Sequence, residues 1–182
     1  MPPPSDEFYA KIDTRRIYPA FLRKHREVTG ACAWELAYFI ATSGFRSPDE
    51  QTTLYLKGRE TPGVNPRPER PLGDTVTNAR AFSSLHQFGL AIDATRDAAL
   101  DRAGLQPDWR IEEYEPLARN AKRIGLKSLF WSETFREGPH VELDIASRGL
   151  TLATLKREYL RGRDTGDSLN RVWRMLDDRG PW

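Results

Sequence analysis

The chain has 182 residues, which is long enough for one domain with a buried core. Its net charge of +2 is too small to indicate a nucleic-acid partner, and no stretch approaches the roughly 20 apolar residues that a membrane span requires. The single cysteine, Cys32, excludes an intramolecular disulfide and is expected to be a small buried side chain. The first seven residues lack the pattern of a secretory signal, so we expect synthesis in the cytoplasm without a signal peptide.

The first part of the chain predicts a helix, a strand and a second helix. Apolar residues recur at helical spacing over residues 17–28, and Gly30 is expected to stop this helix. The apolar run 36–43 predicts a short buried strand. The sequence Ser47-Pro48-Asp49-Glu50 contains both halves of a capping box, with proline at the first helical position, and predicts a helix that ends at Gly58.

Proline and glycine are frequent over residues 59–83, which predicts a long surface loop that we interpret as a flap beside the functional site. A helix is predicted over residues 111–124, with Pro116 in its first turn and Gly125 at its end. Further strands are predicted over residues 89–95, 127–131 and 139–143, and further helices over residues 150–160 and around residues 169–176.

The spacing of His86 and Asp93 restricts how both residues could bind one metal ion. A separation of seven residues corresponds to roughly 10 Å along a helix and more than about 20 Å along a strand. Contact with one ion at about 2.0–2.2 Å therefore requires a turn between them, which Gly89 permits. The spacing is equally consistent with a structural role, in which His86 caps a loop and Asp93 caps a strand end.

A second run places Glu137 and His140 on either side of a Gly138-Pro139 turn that can direct both side chains to one point. His140 would complete a set of three ligands and leave Glu137 free to act as a base. Glu142 competes for that role, but on a strand it would project to the same side as His140 and could instead hydrogen-bond a ligand imidazole. The remaining histidine, His25, lies among charged residues and is expected on a solvent-exposed helix face.

Several short strings form an extended match to one known family. The most specific is Ser84-x-His86-x-x-Gly89-x-Ala91-x-Asp93. The others are Ser43-Gly44-Phe45-Arg46-Ser47, Glu50-Gln51, Leu54-Tyr55, Gly58-Arg59, Thr61-Pro62-Gly63, Val76-Thr77-Asn78-Ala79, Trp131, Phe135 and Pro139-His140-x-Glu142. Over residues 41–143 the chain resembles the zinc D-Ala-D-Ala carboxypeptidase and L-alanyl-D-glutamate endopeptidase family, peptidase family M15.

This resemblance implies a Hedgehog/D,D-peptidase-like α+β fold, in which a small antiparallel sheet is flanked by helices. It also implies that His86, Asp93 and His140 bind Zn²⁺. We expect residues 1–146 to form the zinc peptidase domain and residues 147–182 to form a helical C-terminal extension packed on the same domain.

The resemblance assigns further roles around the metal. Glu137 is implied to be the general base, although many members of the endopeptidase branch have aspartate there and the dipeptidase branch has glutamate. Arg46 matches the family arginine that contacts the reacting carbonyl; the alternative is a surface ion pair with Asp49. Ser84 and Gln51 match positions near the substrate.

The strings from Gly58 to Ala79 look most like the L-alanyl-D-glutamate branch found in phage endolysins and wall-recycling enzymes, apart from an apparent insertion over residues 64–74. We therefore expect a monomeric phage or prophage endolysin that acts on the cell wall after release and cuts the peptidoglycan stem peptide between L-Ala and D-Glu. The alternatives are a D,D-carboxypeptidase or D,D-dipeptidase, which Glu137 favours, and a zinc-bearing module that binds the wall without cleaving it.

Overall fold

The computed structural model describes residues 6–57, 77–98, 104–133 and 136–182, and it has the predicted α+β architecture. Several sequence strings lie outside the described residues. They are Gly58-Arg59, Thr61-Pro62-Gly63, the apparent insertion over residues 64–74, Val76 and Phe135. The described end of the predicted loop, residues 77–83, contains neither helix nor strand.

The described residues include a small antiparallel sheet. Its strands are β1 (Tyr38–Ser43), β2 (Ala91–Asp97), β3 (Pro107–Asp108), β4 (Leu126–Ser128) and β5 (His140–Leu143). The strand order is β1-β2-β5-β4, and β3 pairs with the end of β2. The register of the central strand β2 pairs Asp93 with Ser43 on β1 and with His140 on β5, so the sheet itself places two predicted ligands side by side.

Helices cover this sheet and extend the fold beyond it. They are α1 (Pro19–Trp34), α2 (Pro48–Leu56), α3 (Glu115–Arg123), α4 (Leu152–Arg161) and α5 (Ser168–Asp177). The predicted capping box is present: the Ser47 hydroxyl accepts from the Glu50 N–H at 3.2 Å, and the Glu50 carboxylate accepts from the Ser47 N–H at 2.6 Å. The predicted helix over residues 111–124 is divided into a 3₁₀ turn (Ile111–Tyr114) and α3.

The junction between α1 and β1 differs from its prediction. The helix does not stop at Gly30 but continues to Trp34, because Cys32 is fully buried and keeps the last turns against the core. Leu36, which was expected inside the strand, lies in the turn with a φ of 59° and is 73% exposed. A left-handed residue is the usual way to end a helix abruptly, and here it directs the leucine to solvent.

The expectation that His25 is solvated is wrong. The ring is fully buried, and its Nδ1 lies 2.6 Å from the Tyr9 hydroxyl. Burial lowers its pKa to about 3, so the imidazole stays neutral. His25 follows Phe21 by four residues and precedes Val28 by three, so it lies on the apolar stripe of α1 despite its charged neighbours in sequence.

The C-terminal helices α4 and α5 contact the rest of the fold through both apolar and polar groups. Leu155, Val172 and Leu176 are fully buried. The Trp173 indole N–H donates to the carbonyl of Phe88 at 2.9 Å, close to the segment that carries His86. Among the described residues, none of the helices has the length and apolar character that crossing a bilayer requires.

Candidate metal centre

His86 lies in a short 3₁₀ turn, Leu85–Phe88, directly before strand β2. The turn ends at Gly89, whose φ of 69° is left-handed. A Cβ at this glycine would lie 2.3 Å from the carbonyl oxygen of Arg16, so both the backbone conformation and the close approach require glycine. This turn brings His86 back towards Asp93, as the spacing of the two residues requires.

The side chains of His86, Asp93 and His140 converge at the edge where β2 and β5 pair. Their potential ligand atoms all lie within 4.8 Å of one another. The His86 Nε2 is 3.1 Å, and the His140 Nδ1 is 3.0 Å, from the same Oδ1 atom of Asp93. The structure therefore brings the three predicted ligands together.

Hydrogen bonds on the far side of each ring determine which nitrogen faces Asp93. The His86 Nδ1 donates to the carbonyl of Gly44 at 2.6 Å, and a carbonyl oxygen can only accept, so this nitrogen carries the proton. The His140 Nε2 donates in the same way to the Glu142 carboxylate at 2.9 Å. The nitrogens that face Asp93 are therefore the ones that can bind a metal ion once deprotonated, and two imidazoles with one carboxylate form a donor set that fits zinc.

Electrostatics in this centre favour positive charge between the three groups. Burial disfavours a charged imidazole at His140, but its hydrogen bonds to Asp93 and Glu142 outweigh that effect and raise its pKa to about 10. Burial also opposes ionisation of Asp93, yet His86 and His140 hold the pKa of this carboxyl well below its ordinary range. A cation bound between these groups supplies the positive charge that they otherwise draw from a proton.

Arg46 lies on the opposite side of Asp93 from the imidazoles. Its Nη2 donates to the Asp93 Oδ2 at 2.5 Å, so its ion-pair partner is this carboxylate and not the neighbouring Asp49. Its Nε and Nη2 also donate to the Ser43 hydroxyl at 2.9 and 2.6 Å. The contact with Ser43 was not predicted, although the residue stands three positions before Arg46 in a matching string.

Glu137 and Glu142, the two competing carboxylates, differ in their surroundings. Within the described part of the chain, neither a hydrogen bond nor an ion pair engages the carboxylate of half-buried Glu137. Burial raises its pKa, with a further contribution from the charge on Asp93. Glu142 accepts from His140 and lies 3.0 Å from the Lys127 ammonium, and these contacts outweigh burial and lower its pKa.

The turn between Glu137 and His140 depends on close packing at Gly138. A Cβ at this buried position would lie 2.6 Å from the ring of Tyr114, which is itself fully buried. The Tyr114 hydroxyl donates to the carbonyl of Asp108 at 2.9 Å, which fixes the ring. No local sequence pattern could have linked Tyr114 to this turn, because the two are brought together only by the tertiary fold.

Comparison with known proteins decides the family. The model of the VanY D-alanyl-D-alanine carboxypeptidase family matches residues 15–140, a range that contains His86, Asp93 and His140. The chain belongs to this family. The family membership inferred from the sequence strings is therefore confirmed.

Peptidoglycan endopeptidases are among the proteins that are similar to this VanY-family chain. The peptidoglycan L-alanyl-D-glutamate endopeptidase CwlK of Bacillus subtilis is 28% identical over 155 residues, which cover 79% of this chain and 77% of CwlK. The crystal structure of the L-Ala D-Glu endopeptidase ChiX of Serratia marcescens matches with a TM-score of 0.53 at 19% identity, and the match covers 82% of this chain and 93% of ChiX. The likeness to ChiX shows a shared fold.

The two remaining predicted site residues of this VanY-family chain hydrogen-bond to protein groups. The Ser84 hydroxyl accepts from the His86 N–H at 3.4 Å and so caps the turn that carries this histidine. Gln51 is fully buried, and its side-chain amide donates to the carbonyl of Ala79 at 2.7 Å. Contact of Ser84 and Gln51 with substrate stays a prediction.

Proposed function

We propose that this protein is a zinc-dependent peptidoglycan peptidase that hydrolyses the L-Ala-D-Glu bond of the stem peptide. The observation that carries the proposal is the convergence of His86, Asp93 and His140 within 4.8 Å. The half-buried carboxylate of Glu137 adds a group that can accept a proton beside this centre. The likeness to CwlK supports the choice of substrate and bond.

The zinc ion would be held by the His86 Nε2, the Asp93 carboxylate and the His140 Nδ1. When bound, zinc supplies Lewis acidity towards a carbonyl oxygen and towards water. The protein contributes orientation: Gly44 and Glu142 fix the two rings, and Arg46 fixes the carboxylate.

Glu137 would act as the general base. Its carboxylate accepts a proton from the attacking water and then passes that proton to the amine that leaves. Partial burial suits this role, because a raised pKa makes the carboxylate a stronger proton acceptor.

Arg46 would stabilise the negative charge that develops on the oxygen of the attacked amide. Its guanidinium is fixed by Ser43 and by Asp93 and remains charged throughout. A fixed donor aimed at a developing oxyanion contributes roughly 3–4 kcal/mol to catalysis in other hydrolases.

We also propose that residues 147–182 extend a peptidase domain formed by residues 1–146, and that the enzyme acts on the cell wall as a monomeric phage or prophage endolysin. The contact between Trp173 and Phe88 supports packing of the extension on that domain. The endolysin role is supported by the sequence strings alone.

A second candidate activity is D,D-carboxypeptidase, which the matching family model names. Mass spectrometry of purified peptidoglycan digested by the zinc-loaded protein separates the two activities. Endopeptidase action creates a new amino-terminal D-Glu, whereas carboxypeptidase action releases free D-Ala. The control is the same protein treated with a chelator. Release of D-Ala without new amino-terminal D-Glu would overturn the proposed bond.

A further inference from the structure

A groove of about 650 Å³ lies between the C-terminal helices and the start of helix α2. Its apolar lining includes Phe82, Tyr159 and Trp173. Phe82 precedes the His86 turn and packs between Tyr159 and Phe88, with ring centroids 5.6 and 6.3 Å away. Helix α4 therefore forms one wall of the groove and holds the segment that leads to the metal centre.

The groove contains cationic groups without a carboxylate partner. Within the described residues, Arg16 and Arg163 form no ion pair, whereas Arg15 pairs with Asp13 at 2.9 Å. Arg16 and Arg163 both act on the hydroxyl of Tyr159: burial raises the pKa of this hydroxyl and the two guanidiniums oppose that rise. Both arginines also line the groove.

Among the described residues that line the groove, Asp49 is the acidic one. Its charge also acts on Tyr159, in the direction opposite to the two arginines. Of the described charged side chains that line the groove, Arg15 is paired with Asp13, which leaves two unpaired cations and one anion. The groove therefore has a net attraction for anionic ligands.

Contacts link this groove to the metal centre. The guanidinium of Arg16 lies 3.7 Å above the ring of Phe45. On either side of Phe45 in sequence, the Gly44 carbonyl accepts from His86 and Arg46 pairs with Asp93. The groove therefore lies against the backbone that positions His86 and Arg46.

We propose that the groove binds the carboxylate-bearing part of the stem peptide on the D-Glu side of the cleaved bond, with Arg16 and Arg163 pairing with its carboxylates. This inference rests on the proposed function. D-Glu in the stem peptide carries a free carboxylate beside the amide that would be cut, and the residues beyond it carry more. The aromatic side chains contact the aliphatic parts of the same peptide. The C-terminal helices thus become part of the substrate site.

The test measures binding separately from cleavage. Isothermal titration is carried out in a Glu137→Gln background with acetylated stem tripeptides that end in lysine or in diaminopimelate. We expect the double substitution Arg16→Gln/Arg163→Gln to weaken binding of at least one tripeptide about fivefold, as two partly exposed ion pairs predict. A fully amidated tripeptide should bind the parent and the double variant equally. Arg157→Gln, an exposed arginine on helix α4 that does not line the groove, is the matched control.

The outcomes separate the groove from the activity. In the active protein the double substitution should raise KM about fivefold and leave kcat unchanged. Equal affinities for the parent and the double variant, or no measurable binding of either tripeptide, would overturn the groove even if cleavage is observed. Arginine-dependent binding without any cleavage would support the groove and overturn the proposed peptidase activity. Circular dichroism of each variant verifies that it folds.

Discussion

Arg46 and Asp93 form an ion pair in which the arginine Nη2 lies 2.5 Å from Oδ2 of the carboxylate. The other oxygen, Oδ1, faces both His86 and His140. The two oxygens of Asp93 thus have separate partners, and the arginine holds the carboxylate in the orientation that presents Oδ1 to the imidazoles. Arg46 therefore fixes the orientation of one predicted metal ligand.

Removal of the Arg46 guanidinium should affect both metal binding and turnover. We expect Arg46→Gln to weaken zinc binding about tenfold, because the orientation of Asp93 is lost, and to lower kcat about a hundredfold, because the developing oxyanion loses a donor. Competition with a chelating dye and steady-state kinetics measure the two effects. Arg46→Lys keeps the positive charge but lacks the planar guanidinium, so it should recover part of the zinc affinity and part of kcat. Wild-type zinc affinity in Arg46→Gln would contradict the orienting role.

Glu142 should determine zinc affinity through His140. We expect Glu142→Ala to weaken zinc binding about tenfold to a hundredfold, because the His140 ring loses the acceptor that fixes its orientation. Glu142→Gln keeps an acceptor oxygen and should lose less. Lys127→Met is the control, because it removes only the ammonium beside Glu142 and leaves Glu142 itself in place. Zinc titration of the variants would argue against this role if Glu142→Ala binds as tightly as the wild type.

Two glycines should respond to the same substitution with opposite sign. Gly89→Ala forces a left-handed φ on alanine and places its Cβ 2.3 Å from a backbone oxygen, so we expect a loss of about 2–4 kcal/mol in the free energy of unfolding. Gly30 lies inside α1 with open space around it, and Gly30→Ala should stabilise by about 0.5–1 kcal/mol. Urea denaturation measures both. A loss at Gly30 equal to that at Gly89 would be inconsistent with this explanation.

His25 should make the protein sensitive to acid. Its pKa falls from an ordinary 6.5 to about 3 on folding, so below pH 6.5 the unfolded chain binds a proton that the folded chain does not. The stability that it contributes is complete above pH 6.5 and is lost as the pH falls, by up to about 1.4 kcal/mol per pH unit. In His25→Gln the amide oxygen can still accept from Tyr9, and the titrating group is gone.

The measurement for His25 is the free energy of unfolding of both proteins between pH 7 and pH 5. A chelator in every sample ensures that protonation of the metal ligands affects the two proteins alike. The advantage of the wild type over His25→Gln should shrink as the pH falls. A difference that stays constant over this range would show that His25 is not the titrating group.

Local patterns predicted those features of the fold that depend on local interactions. The capping box at Ser47 and Glu50 is local, and it is present as predicted. The need for a turn at Gly89 followed from spacing, because no regular element could bring His86 to Asp93. The pairing of Asp93 with His140 depends on strand register, which appeared only in the structure.

The wrong predictions concern residues whose environment is decided by tertiary contacts. Charged neighbours in sequence indicated that His25 is exposed to solvent, but its place on the apolar face of α1 buries it against Tyr9. Gly30 indicated a helix end, but burial of Cys32 carried the helix further. The contact of Tyr114 with Gly138 had no signal in the sequence at all.

In the proposed mechanism, His86, Asp93 and His140 hold zinc while Glu137 moves the proton. The most direct test is Glu137→Gln, compared with wild type for zinc content and for cleavage of a stem peptide. Glu133→Gln, an exposed glutamate nearby, is the matched control. We predict that both variants keep full zinc content. Only Glu137→Gln should lose turnover, by about a hundredfold or more. Wild-type cleavage by zinc-loaded Glu137→Gln would exclude Glu137 as the general base.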